Sequence, residues 1–499
     1  VALLGREYKK EELAAVETEL ARLETEYKQV NEMIRARYPS YEQLTRPVAW
    51  DLQRIQEQVI ADDQTVLLEY SLGAEKSYVW AVTRHGMTSH ELPAQAVITA
   101  AAQKLYELSA SPPKAETEDK LNQAAHELGQ MVLSPVAAQL DKHRIIVVAD
   151  GALNYIPFQL LPAPFAQREQ LVAGHEVVNA PSASILGQLQ HEAARRQPAT
   201  KVLAAFGDPV FAANYAQRKD PQAGELIAAA QTTRDERWRQ ALRDLELNGD
   251  TFDASVIQPL FYAKSELANL RRAASGGEIF VATDFDATRE RLHSIDLTEF
   301  AILHFATHGF LDPLRPENSG LMLSTVNRNG QTLNGFVELQ DIYNLHAPVD
   351  LVVLSACRTA LGKTVRGEGL IGLTRGFMYA GASSVVASLW KVDDEATAEL
   401  MKRFYGNMLQ GGMTPAAALR AAQNSIRQET QWRSPYYWAA FTLQGEYRRV
   451  INPTPEATPL RSKMIGGGAL LALLAGAGWC WRRRHPGRRT VQRAAAIQQ

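Results

Sequence analysis

Between residues 7 and 37, apolar side chains recur at spacings of three and four: Leu13, Val16, Leu20, Leu23, Tyr27, Val30 and Ile34. Glu, Lys and Arg fill the gaps. That period places all seven on one seam of a helix. The run is short for a free-standing coiled coil, so it predicts a helical hairpin or the end of a helical array, although ordinary core packing explains the seam equally well. A second helix is predicted from about Pro47 to Ile60. At Thr65 the pattern changes: VLLEYSLG, SYVWAVTR and MTSHELP, punctuated by Gly, predict antiparallel strands. Helical patterns then alternate with short runs that are apolar on both faces. These are RIIVVAD (144–150), KVLAAFGD (201–208), EFAILHFAT (299–307), DLVVLSA (350–356) and SSVVASLW (383–390). Strands of that kind lie between helix layers in a largely parallel sheet.

Other stretches read locally. A polar Arg/Gln/Asp-rich segment between 212 and 265 predicts a surface insertion. DGALNYIPFQLLP (150–162), with its Asp-Gly turn and apolar Phe158, Leu160 and Leu161, predicts a structural plug without chemistry. Asp393-Asp394-Glu395 offers an N-cap and acidic first turn to a helix ending near Gly411-Gly412, and Thr414-Pro415 caps the next. The expected organisation is a helical segment (1–62), an α/β domain (63–450), a Pro-containing linker (451–463), an apolar helix (464–481) and a basic tail (482–499).

The apolar run MIGGGALLALLAGAGWCW has no charge, and six arginines follow it while Arg461 and Lys463 precede it. It is at the short end for spanning a bilayer. A single-pass anchor is the expectation, a buried core helix the alternative. The positive-inside rule puts the tail in the cytoplasm and the globular body outside it. That topology calls for an export signal upstream of Val1.

Composition narrows the function classes. With 46% hydrophobic residues, 22% charged residues and a formal net charge of −2, the chain offers no basic face for nucleic acid. At 499 residues, two or three units are expected. Of the two cysteines, Cys480 lies in the apolar run, so Cys357 stands alone in the body of the chain. A disulfide framework and Cys-rich zinc patterns are excluded, and HExxH and P-loop patterns are absent. No cofactor and no metal are expected.

Cys357 ends the run DLVVLSAC, where a core strand would be served by another valine. A thiol attacks a carbonyl as its thiolate and needs a base within reach, most often histidine. Of eleven histidines, His304 is mid-strand in AILHFAT and reads as core, while His308 sits where that strand ends and is followed by Gly309. A sharp turn there would let the ring face solvent. Side chains beyond the carboxyl ends of neighbouring parallel strands share one crevice. Spacing alone leaves this pairing level with two unrelated strand ends.

The stretches DGALNYIPFQLLP, LHFATHGF (303–310), SGLMLS (319–324), DLVVLSACRTALGK, RGEGLIGLTRGFMYAGASSVVASLWKVDD (366–394) and YYWAAFTLQG (436–445) together resemble the CHAT domain family. Those caspase-like modules are often joined to tetratricopeptide-type repeats. The resemblance runs from Thr65 to Tyr447 and implies a caspase-like three-layer α/β fold, with a largely parallel sheet between helices. It implies a cysteine endopeptidase with His308 as base and Cys357 as nucleophile. Backbone N–H groups of Gly309 and Cys357 are then the expected oxyanion donors. Ser-Ala-Cys departs from the Gln-Ala-Cys of true caspases.

Substrate-pocket candidates are Asp312, Glu368, Asp393, Asp394 and Trp390, with Arg358 and Arg366 as basic neighbours. Against these stand a turn for Asp312, helix capping for Asp393 and Asp394, and core packing for Trp390. The expected partners are a protein substrate, a regulatory protein bound through the N-terminal helices, and a membrane. Competing functions are a non-catalytic scaffold of the same fold and a hydrolase acting on a non-peptide acyl group.

Overall fold

The apolar runs assemble into an eleven-stranded sheet in a computed structural model that describes residues 22, 49–60, 62–164, 169–211, 260–310, 318–355 and 368–451. In chain order the strands are β1 (Thr65–Ser71), β2 (Ser77–Thr83), β3 (Gly86–Leu92), β4 (Arg144–Val148), β5 (Glu176–Asn179), β6 (Lys201–Pro209), β7 (Ile279–Asp284) and β8 (Phe300–Ala306). There follow β9 (His308–Phe310), β10 (Gly320–Met322), β11 (Phe336–Glu338), β12 (Leu351–Leu354), β13 (Ser384–Ser388) and β14 (Phe441–Gly445). The large sheet runs β3-β2-β1-β4-β5-β14-β13-β12-β8-β6-β7, and β11-β10-β9 form a separate small sheet. β1 to β3 pair antiparallel, as their alternation predicts.

The rest of the large sheet is largely parallel, but not in one direction. β1, β4, β5 and β14 form one parallel block, and β13, β12, β8, β6 and β7 form another. The blocks meet where β14 pairs antiparallel with β13. Carboxyl ends of the two blocks therefore lie on opposite rims. β5 and β7 escape the sequence patterns because EVVN carries only two apolar residues and IFVATD closes on polar Thr283 and Asp284.

The longer α-helices are α1 (Gln95–Ser109), α2 (Glu118–Val132), α3 (Ala183–Arg195), α4 (Ala263–Ala273), α5 (Arg289–Ser294), α6 (Leu339–Asn344), α7 (Glu368–Tyr379), α8 (Asp394–Tyr405) and α9 (Pro415–Arg427). Their ends follow local chemistry. Asp393 and Thr414 cap α8 and α9 by accepting from the Ala396 and Ala417 N–H groups, with Pro415 in the first turn of α9. Most of the expected 212–265 insertion lies outside the described residues; at its end Phe261, Tyr262, Lys264 and Ser265 are exposed while Ala263 is buried, and α4 then turns Glu266, Leu267 and Leu270 inward. Phe158, Leu160 and Leu161 are fully buried, as expected of a plug. Each such side chain contributes about 1.5–3 kcal/mol. Gly151 has φ +53, a left-handed turn that glycine adopts without strain.

The chain divides into two units, Val1–Pro453 and Thr454–Gln499, and every described residue belongs to the first. Among the described residues no helix is long and apolar enough to cross a membrane. The longest, α1 and α2, have 15 residues each and carry Lys, Glu and Asp. This overturns the expectation of a single-pass anchor with an extracytoplasmic body. Residues 464–481, on which it rested, lie outside the described residues, as does the Leu13–Ile34 seam.

Candidate active site

β8 and β12 are hydrogen-bonded parallel neighbours, with Val353 opposite His304 and Leu354 opposite Phe305. Their pairing extends to the strand ends, where the Ser355 N–H donates to the Phe305 carbonyl at 2.9 Å. The chain thus leaves both strands on the same rim. Cys357 comes two residues after Ser355 in the sequence, but it lies outside the described residues together with Asp312, Arg358 and Arg366.

On the β8 side the chain does not turn into solvent. Thr307 breaks the strand, its hydroxyl donating to the Met322 carbonyl, and His308 opens β9 opposite Met322. His308 is 8% exposed, and its imidazole lies 5.6 Å from the Phe211 ring, centroid to centroid. Phe211, Phe310, Met322 and Phe336 form a small apolar core there. The expected solvent-facing ring is therefore corrected to one packed against the small sheet. The reason is non-local, since β10 and β11 come from later sequence. Gly309 is buried in β9, opposite Leu321.

The pocket candidates separate. Trp390 is 1% exposed, donates its indole N–H to the Tyr436 carbonyl at 3.1 Å and meets Tyr106 edge-on, so it is core and not a pocket wall. Asp393 serves as the α8 cap. The Asp394 carboxyl is pushed up to about 6, first by burial and then by the charges of Asp393 and Glu266. Glu368 is the first residue of α7. Among the described residues no group of three or more His, Cys, Asp or Glu side chains could hold a metal ion.

Beneath the rim lies a polar network that the sequence patterns miss. His304 is fully buried, with Nδ1 3.0 Å from the Tyr405 hydroxyl. Its Nε2 lies 3.0 Å from Glu266 Oε1, at ion-pair distance but without the alignment of a straight hydrogen bond. The same Glu266 oxygen accepts the Ser355 hydroxyl. A signal was present: Glu266 interrupts the apolar stripe Ala263, Leu267, Leu270 of α4, where a buried carboxylate must have partners.

A mixed α/β domain with a largely parallel sheet, in which β8 and β12 are parallel neighbours, defines the class. The CHAT domain family model matches residues 122–446, so the chain belongs to the CHAT domain family. The sheet extends beyond that match through β1, which pairs with β4. The chain is 25% identical over 348 residues to mouse (Mus musculus) tetratricopeptide repeat protein 28, covering 63% of this chain and 12% of that one. It thus spans about an eighth of that relative's length. Two solved structures are similar in outline. The Saccharomyces cerevisiae separase–securin complex matches at TM-score 0.41 and 9% identity, over 79% of this chain and 31% of that one. The Arg-specific cysteine proteinase gingipain R of Porphyromonas gingivalis matches at TM-score 0.36 and 10% identity, over 71% and 74%. Both likenesses are too weak to bear on function.

Proposed function

We propose that this chain is a cysteine endopeptidase in which Cys357 attacks the scissile carbonyl of a protein substrate and His308 manages the proton. The thiol proton passes to the imidazole, and the sulfur forms a tetrahedral intermediate held by the Gly309 and Cys357 N–H groups. The imidazole then protonates the leaving amine as the acyl-enzyme forms, and later draws a proton from the water that releases the acid. The observation that carries this reading is the adjacency of β8 and β12, parallel and bonded to their tips. The N-terminal helical segment is the proposed contact for a regulatory protein, since an open thiolate needs control.

The burial of His308 against Phe211 favours a second reading, a CHAT domain that acts as an interaction scaffold. A peptide-like electrophile separates the two. The protease reading expects labelling of Cys357 that drops at least tenfold in His308→Ala. It also expects new protein N-termini in cells expressing the wild type but not Cys357→Ala. Labelling no faster than a surface thiol and indifferent to His308→Ala would leave the scaffold.

A further inference from the structure

We propose that Glu266 is a positioning residue that locks the tips of β8 and β12 in register; its relevance to catalysis rests on the His308–Cys357 reading above. Glu266 is 4% exposed, and a single oxygen, Oε1, reaches both strands: it accepts the hydroxyl of Ser355, the residue that follows β12, and lies 3.0 Å from His304 Nε2 of β8. Ser355 is thereby fixed twice, by its side chain to α4 and by its N–H to Phe305. His304 is fixed from its other nitrogen by Tyr405 of α8. All four residues are at most 4% exposed.

Packing does not require this arrangement. A buried ionic or polar group contributes little net stability over an apolar residue of the same shape, and its loss on one side leaves the partner stranded. What these buried contacts supply is a single geometry, through the Ser355–Glu266 and His304–Tyr405 hydrogen bonds and the close approach of His304 to Glu266. Here that geometry is imposed four residues before His308 and two before Cys357 in the sequence. A shift on the order of 1 Å between reacting groups costs roughly a hundredfold in rate.

The test measures alkylation of Cys357 by iodoacetamide across pH in the full chain carrying Cys480→Ser. Glu266→Gln and Ser355→Ala are each expected to change the rate at pH 7.5 by about tenfold or more. The double variant should change it by less than the product of the two single effects, because both weaken the shared Ser355–Glu266 contact. Ser355→Thr, which keeps a hydroxyl, should return the wild-type rate and pH profile, a rescue that loss of packing would not give. If Glu266→Gln does not fold, the Ser355 pair carries the comparison. Wild-type rates in Ser355→Ala, or additive effects in the double variant, would overturn the proposal. His308→Ala in the same series judges the catalytic pairing separately: an unchanged pH profile there ends the protease reading without touching the effect of Glu266.

Discussion

Asp394 places its carboxyl in the first turn of α8, where burial, Asp393 and Glu266 raise its pKa from 3.8 to about 6. The folded state therefore holds this proton more tightly than the unfolded chain does. Between about pH 4 and pH 6 the folded state binds more protons, so this group's contribution falls as pH rises through that window and stays lost above it. Asp394→Asn removes a charge that the fold disfavours. The variant should melt higher than wild type at pH 7.5, with the gap closing by pH 4, as followed by thermal unfolding across pH. At this scale the sequence was legible where the cause is local. The caps at Asp393 and Thr414 are set by residues three positions on. The burial of His308 was not legible, because Phe211 and Met322 come from other parts of the chain.

Elements are held by contacts that strand and helix patterns do not announce. Two buried glutamines clamp the approach to β14. Gln159 donates to the Ala439 and Phe441 carbonyls, each at 3.0 Å, and Gln423 of α9 donates to those of Trp438 and Phe441 at 3.0 and 2.8 Å. Gln423→Ala removes the side-chain donor to the buried Trp438 carbonyl and leaves that of Phe441 to Gln159, and should cost about 1–3 kcal/mol, measured by urea denaturation. Apolar runs announced β4, β6, β8, β12 and β13 because strands covered on both faces need no polar side. β14 escaped as a strand, although its residues FTLQG belong to a family-like stretch, because its direction and neighbours depend on β13 and on the far more distant β5. Glu266 shows the complementary failure. A helix period marks which face is buried, but not which polar residue on that face is there for a partner.

At the scale of the whole molecule, the two parallel blocks are fastened where their directions oppose. Asp350, just before β12, lies 3.5 Å from Arg196 and 3.2 Å from Arg449, which follows β14. Arg196 also donates to the Val349 and Gly381 carbonyls at 2.5 and 2.7 Å. This seam ties the end of β14 to the starts of β12 and β13. A chain stopped at residue 440 would lack the strand that joins the blocks and leave β5 and β13 with bare edges. Such a chain should elute as aggregate in size-exclusion chromatography, whereas one ending at residue 451 should not. The family match, ending at residue 446, includes that strand.

β14 is the last of the described strands along the chain and yet sits sixth in the order of eleven, between β5 and β13. A ribosome finishes β5 at residue 179 and cannot supply its neighbour until residue 445. At about 5–20 residues per second, that interval is roughly 10–50 s. For that time the newly made half displays an open hydrogen-bonding edge to everything in its surroundings. Production of this protein should therefore depend on holding chaperones far more than its finished architecture suggests.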